Sequence, residues 1–149
     1  WTAIFFFAGL FVLVGALVET GVIKVLAAEA IKLTNGSVNA TAMLILWMSA
    51  FASAFIDNIP FVATLIPLIQ DMGQMGLSNL DPMWWSLALG ACLGGNGTLI
   101  GASANVVVAS MAAQRGKQIS FLGFMKIAFL IMIMTIAISS VYVWIRYLL

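Results

Sequence analysis

The mostly apolar stretch from Ala40 to Gln70 is interrupted once, by Asp57-Asn58-Ile59-Pro60. As one straight helix the stretch would be about 45 Å long, against a bilayer hydrocarbon core of about 30 Å. Split at the interruption, each half is too short to span comfortably. A carboxylate at the centre of a membrane helix costs about 2.5–3.5 kcal/mol on insertion scales, so such residues are rare and tied to function. A proline beside it breaks the backbone ladder. Together the two features predict a re-entrant helical hairpin, which enters the membrane, turns near its middle and returns to the same side. Asp57 or Asn58 then N-caps the second arm, and Pro60 falls in the first turn, where its missing N–H costs little. The competing form is a single tilted, Pro60-kinked helix. Pro67 would add a second, milder kink.

Lipid is the natural solvent of this chain. Hydrophobic residues make up 64% and charged residues 7%, with a mean hydropathy of +1.16; soluble domains are about a quarter charged. The expected fold class is therefore all-α integral membrane. There is no histidine and a single cysteine, Cys92, which excludes a disulfide framework and argues against a zinc or iron–sulfur site. Cys92, between Ala91 and Leu93, is expected to pack as a small apolar residue. A net charge of +1 gives no basis for binding nucleic acid. The first apolar run opens at Trp1 with no basic segment before it, so it reads as a membrane helix and not a signal peptide. A start in mid-helix is expected of part of a longer polypeptide.

The chain divides as a single transmembrane domain over 1–149. Residues 1–23 form a span. In 21–34, Lys24, Glu29 and Lys32 interleave with Val22, Val25, Leu26, Ile31 and Leu33, the pattern of an amphipathic helix at the membrane surface; the alternative is a helix that protrudes into water. Thr34-Asn35-Gly36-Ser37 is a turn. The hairpin follows over 40–70. Asp71 to Pro82 reads as a polar loop, with Asp71 and Asp81 as loop charges. Residues 83–113 are apolar again but contain Gly94-Gly95-Asn96-Gly97, a cluster best accommodated as an unwound stretch between two half-helices. Irregular backbone at that depth is tolerated only where protein or a water-filled cavity surrounds it. The spacings Gly90 to Gly94 and Gly97 to Gly101 also suit close helix packing. After the basic connector Gln114–Lys117, residues 119–149 supply a short interfacial arm and a last span, anchored by Tyr142, Trp144, Arg146 and Tyr147.

Both breaks leave carbonyls unpaired at the end of one half-helix and N–H groups unpaired at the start of the next. Half-helix C-termini suit Na⁺ or H⁺; N-termini suit anionic or polar groups. Asp57 contributes a formal charge. Asn58, Asn96, Thr98 and Asn105 add neutral ligands, and Gly95 and Gly97 bring backbone close. Na⁺ fits the hard oxygens of Asp57, Asn58, Asn96 and Thr98 better than a soft transition metal does. Burial disfavours a carboxylate's charge and a bound cation favours it, so Asp57 is placed to trade a proton for Na⁺. No other cofactor is expected. Thr64, Ser103, Ser49 and Ser53 are read as helix-packing hydroxyls that bond back to the backbone. An intramembrane enzyme would need a nucleophile with its base, or a second carboxylate at the depth of Asp57, and the sequence has neither. A passive anion channel or a structural membrane subunit is the remaining reading of another class.

Ser53-Ala54-Phe55-Ile56-Asp57-Asn58-Ile59-Pro60-Phe61 and Leu93-Gly94-Gly95-Asn96-Gly97-Thr98-Leu99-Ile100-Gly101-Ala102-Ser103-Ala104-Asn105-Val106-Val107 resemble the second repeat of the arsenite/NhaD-type permeases. The pattern is most similar to the branch that contains the melanosomal P protein. The order of elements resembles the wider ion transporter superfamily, which includes citrate and dicarboxylate symporters. The resemblance covers essentially the whole chain. It implies one repeat of a secondary transporter that works as a homodimer by elevator-like movement. The partner repeat, of inverted topology, would be the N-terminal part of the same polypeptide. The substrate would be a small inorganic ion or small anion, and the location the lipid bilayer of a bacterial inner membrane. Two departures matter. Dicarboxylate symporters resemble Ser-Asn-Thr at the hairpin tip, where this chain has Asp57-Asn58-Ile59; a carboxylate there repels a dianion. Cation/proton antiport or arsenite efflux is therefore favoured over di- or tricarboxylate symport with Na⁺ or H⁺. Related motifs carry Pro-Pro-Asn where this chain has Ser103-Ala104-Asn105, so only Asn105 is carried over.

Overall fold

The computed structural model describes residues 1–149, apart from the side chains at 2, 3, 6, 7 and 10. Seven α-helices follow one another: α1 (Thr2–Glu19), α2 (Val22–Leu33), α3 (Val38–Ser53), α4 (Asn58–Gln74), α5 (Asp81–Gly94), α6 (Ser103–Gln114) and α7 (Phe121–Val143). A wider π-type turn, Trp144–Leu148, continues α7. The fold is all-α, as the composition requires. Helix α7 with its extension, Phe121–Leu148, is long and apolar enough to cross a membrane. Between α1 and α2 the chain bends by 69°. The bend is made at Gly21, whose φ of 77° is left-handed and costs glycine little.

Helix α3 has 16 residues and α4 has 17, about 24 and 26 Å of helix, both short of the hydrocarbon thickness. Ser37 caps α3 by accepting from Ala40 N–H, and Asp57 caps α4 by accepting from Ile59 N–H. Pro60 stands in the first turn of α4, where no intrahelical N–H is needed.

The packing fixes directions. Helices α3 and α5 run side by side in the same sense and share the most extensive contact in the fold. A Cβ on Gly90 would meet Leu46 and Ser49, one on Gly94 would meet Ala50, and one on Gly97 would meet Ala54. Helix α4 runs back between their ends. It starts beside the end of α3. Its later residues Leu65, Leu68, Ile69 and Met72 cluster with Ile45 of α3 and with Met83 and Leu87 of α5. Ile23 and Ala27 of α2 close the same cluster. Helix α7 runs opposite to α3. Phe129 lies against Phe51, and eleven residues on, Trp47 Nε1–H donates to Ser140 Oγ at 3.1 Å. At its far end Tyr147 stacks on Trp85, near the start of α5, with ring centroids 5.8 Å apart.

Two features differ from the sequence reading. Asp71 is not a loop charge. Helix α4 continues to Gln74, and Asp71 is buried at 9% exposure, because α2 and the α4–α5 connection cover that turn. The arm and the last span are not separate either: Phe121–Val143 is one uninterrupted helix, with Ser120 as its cap.

The arrangement puts 35–39 and 75–80 at one end of the bundle and 115–120 at the other. In a full-length protein with Cys92→Ala, single cysteines at Ser37 and Ser78 should label from one face of the membrane and a cysteine at Gln118 from the opposite face. Labelling of Ser37 and Ser78 from opposite faces would mean that α3 and α4 together cross the bilayer.

Candidate functional site

The glycines of the α5–α6 break are there for close approach. None of Gly94, Gly95, Gly97 and Gly101 has a positive φ. Yet a Cβ on Gly94, Gly95 or Gly101 would collide with the hairpin or with the break itself, and one on Gly97 with Met132 of α7. On Gly94 it would sit 2.6 Å from Ala50 Cα, and on Gly101 2.7 Å from the Ala54 carbonyl oxygen. In lipid there is no hydrophobic force between helices, and small residues allow the backbone proximity that holds them. The α5 stripe Ser86, Gly90 and Gly94 is wholly buried against Leu46, Ala50 and Ala54, also buried. Residues 95–102 therefore unwind directly against the hairpin tip.

Two side chains fasten the hairpin to the α5–α6 segment, and a third braces the break itself. Thr98 is fully buried; its hydroxyl donates to the Ala54 carbonyl and accepts from Gly101 N–H at 3.1 Å. Asn105 Nδ2 donates to the Gly95 carbonyl at 3.2 Å and to the Thr98 carbonyl at 3.0 Å. Ser53, buried, lies in hydrogen-bonding contact with Asn58 Oδ1 and donates to the Ala91 carbonyl at 2.7 Å. Asn58 covers Gly95: a Cβ there would stand 3.0 Å from Asn58 Oδ1 and 3.2 Å from Nδ2.

Of the residues singled out in the sequence, Asn58, Gly95, Thr98 and Asn105 thus meet in one cluster. Gly97 is buried under Met132 of α7. Asn96 is exposed and, with Asn105, Gln118 and Ser120, gives the polar lining of an open 610 Å³ cavity bounded by Phe124 and Ile131. Asn58 also lines a 510 Å³ cavity with Phe11 and Ile59. Asp57 is exposed at the tip, its carboxylate 3.4 Å from Ile59 N. Among the described residues the one ion pair is Lys32–Glu29 on the surface of α2. No group of three or more metal-ligating side chains occurs among them.

Thr98 also has a structural role. Its proton goes to the Ala54 carbonyl, so the hydroxyl fastens the break to the hairpin. Thr64 donates to the Pro60 carbonyl at 2.9 Å, an ordinary back-bond. Ser49 has no such bond, and its hydroxyl, like that of Ser86, is buried with no partner among the described residues. Cys92 is exposed. Ser53, expected from the sequence to be a packing hydroxyl, sits at the centre of the cluster. Its partners Asn58 and Ala91 come from two other helices, and no local pattern announces them.

The Thr98 geometry gives a direct expectation. Thr98→Ser keeps both bonds and should be near wild type. Thr98→Val keeps the shape and leaves a buried carbonyl and N–H without their partner, a loss of about 1–3 kcal/mol. Thermal unfolding of the purified full-length variants checks this; equal midpoints for the two variants would show that the fastening contributes nothing.

The chain can now be placed among known proteins. The citrate transporter family, CitMHS, matches residues 1–90. The chain belongs to this family. It is 49% identical over 149 residues to an uncharacterised transporter of Mycobacterium tuberculosis, covering 99% of this chain and 35% of that protein. It is 44% identical over 150 residues to a 46 kDa membrane protein of Mycobacterium leprae, at the same coverage. It is 42% identical over 155 residues to the P protein of Mus musculus, covering 99% of this chain and 19% of that protein. The chain spans about a third of the length of the mycobacterial relatives. No solved structure matches it. Over the part of these relatives that it covers, the chain is similar to proteins of the citrate transporter and P protein type.

Proposed function

We propose that this chain is one repeat of a secondary active ion transporter in which Asp57 exchanges a proton for Na⁺ at the contact between hairpin tip and helix break. The supporting observation is that contact itself: Asn58 lies over Gly95, and Asn105 braces the carbonyls of Gly95 and Thr98. Short half-helices that end on each other in this way gather carbonyl dipoles and amide oxygens in one place, which favours a hard monovalent cation. Asp57 stands next in sequence to Asn58, with its carboxylate open. The ligand set would be Asp57, Asn58 and Asn96, with backbone oxygens of 95–97; Thr98 and Asn105 hold the shape. The other half of the site would come from an N-terminal repeat of the same polypeptide, the whole acting as a homodimer in a bacterial inner membrane.

A second reading has its own support, since the family that matches is described as citrate transporters. Under it Na⁺ or H⁺ drives uptake of a di- or tricarboxylate, and Asp57 must be neutralised before the anion enters. Efflux of arsenite or another small anion is the third.

Proteoliposomes carrying the full-length protein separate these. Antiport predicts that an outward Na⁺ gradient acidifies the lumen and an inward one alkalinises it, with no organic anion present. Carboxylate symport predicts Na⁺-dependent citrate counterflow instead. Flux in either assay that shows no counterflow and no saturation would mark a channel and end the carrier reading.

A further inference from the structure

We infer that Ser53 is a positioning residue that turns the Asn58 amide so that its oxygen, and not its amino group, faces the ion; the inference rests on the cation reading of the hairpin tip given above. The Ser53 hydroxyl has one hydrogen and two neighbours, the Asn58 amide and the Ala91 carbonyl 2.7 Å away. A carbonyl oxygen can only accept. Were the hydroxyl proton given to Asn58, two bare oxygens would face each other between Ser53 and Ala91, in a place where Ser53 is fully buried and water cannot mediate. The proton therefore goes to Ala91.

Asn58 has the freedom that Ala91 lacks. A half-turn of its terminal amide exchanges oxygen and nitrogen with almost no change of shape. Turned so that Nδ2–H donates to Ser53 Oγ, every group is satisfied: Ser53 donates once and accepts once, and Ala91 accepts. The remaining end of the amide is then Oδ1. It is directed away from Ser53; the amide as a whole lies over Gly95, and Asn58 also lines the cavity beside Phe11 and Ile59. Nothing on Gly95 can obstruct it, because a side chain there would meet the amide at 3.0–3.2 Å. The opposite orientation would present two N–H donors, an anion ligand in place of a cation ligand. The hydroxyl of Ser53, four residues before Asp57, thus sets the polarity of the hairpin tip.

The test is equilibrium binding of radioactive ²²Na⁺ to the purified full-length protein. Ser53→Ala frees the amide to turn, and the half-saturation concentration should rise about tenfold with the number of sites unchanged. Ser53→Cys, of similar size and a poor donor, should give the same shift and stands in if Ser53→Ala does not accumulate. The decisive arm is a double-mutant cycle with Asn58→Asp. A carboxylate shows oxygen at both ends, so orientation no longer matters, and Ser53→Ala should then change Na⁺ affinity by less than about twofold. A purely structural Ser53 would lower affinity equally in both backgrounds, and that result would overturn the inference. Unchanged affinity in Ser53→Ala alone would overturn it too, leaving the cation reading intact. If the wild-type protein binds no Na⁺, the cation reading falls and this inference with it.

Discussion

Replacing Asp57 by Asn in the full-length transporter should reduce ion-coupled flux to the level of empty liposomes at every pH, while the protein still folds. Asp57 caps α4 through Ile59 N–H, and Asn caps a helix as well as Asp does. The substitution therefore keeps size and cap and removes charge and titration alone. Stability should be equal or higher, because an uncompensated carboxylate at membrane depth is costly. Asp57→Glu keeps the charge and moves it by one methylene, so partial activity with an altered pH profile is expected. If Asp57 only caps, its Asn variant will transport at the wild-type rate with the wild-type pH dependence. Flux measured across pH in proteoliposomes decides between the two roles.

The second large effect belongs to Gly94. A Cβ there would lie 2.6 Å from Ala50 Cα and 2.8 Å from Ala50 C. These are backbone atoms that no rotamer change can move, so Gly94→Ala must push α3 and α5 apart. The expected loss is about 1–3 kcal/mol, with more for Gly94→Val. Since α3 and α5 set Asn58 over Gly95, ion affinity should fall together with stability. Gly15→Ala in α1 is the matched control. Among the described residues nothing lies within 4 Å of its added methyl, and Ala is the better helix former, so the change should be neutral or slightly stabilising. Thermal midpoints in detergent give the comparison; a Gly94→Ala protein as stable as wild type would mean that α3 and α5 do not pack as closely as described.

These two residues also show what could be read from the chain and what could not. Asp57 and Pro60 punctuate an apolar run, so the turn between α3 and α4 is visible locally. The glycine cluster likewise marks the break after α5, but its reason is not local. The backbone of 94–101 needs no left-handed conformation; it needs room for Ala50 and Ala54, and that partner is set by the parallel packing of two helices far apart in sequence. Thr98 is visible as a polar residue at the break, while its bond to Ala54 is not. Ser53 was hidden by its ordinariness, a serine in the last turn of a helix. Asp71 looked like loop because Gln70 and Asp71 open a polar stretch. It is helical and buried because α2, from another part of the chain, packs over the end of α4.

The central claim is that one carboxylate at the hairpin tip trades a proton for Na⁺. It is tested most directly by adding Na⁺ to the purified full-length protein in weakly buffered detergent solution and measuring the protons released. The wild-type protein should release protons in proportion to Na⁺ bound, with K⁺ giving none, and Asp57→Asn should release none. Release of the same number of protons by the Asp57→Asn variant would contradict the claim.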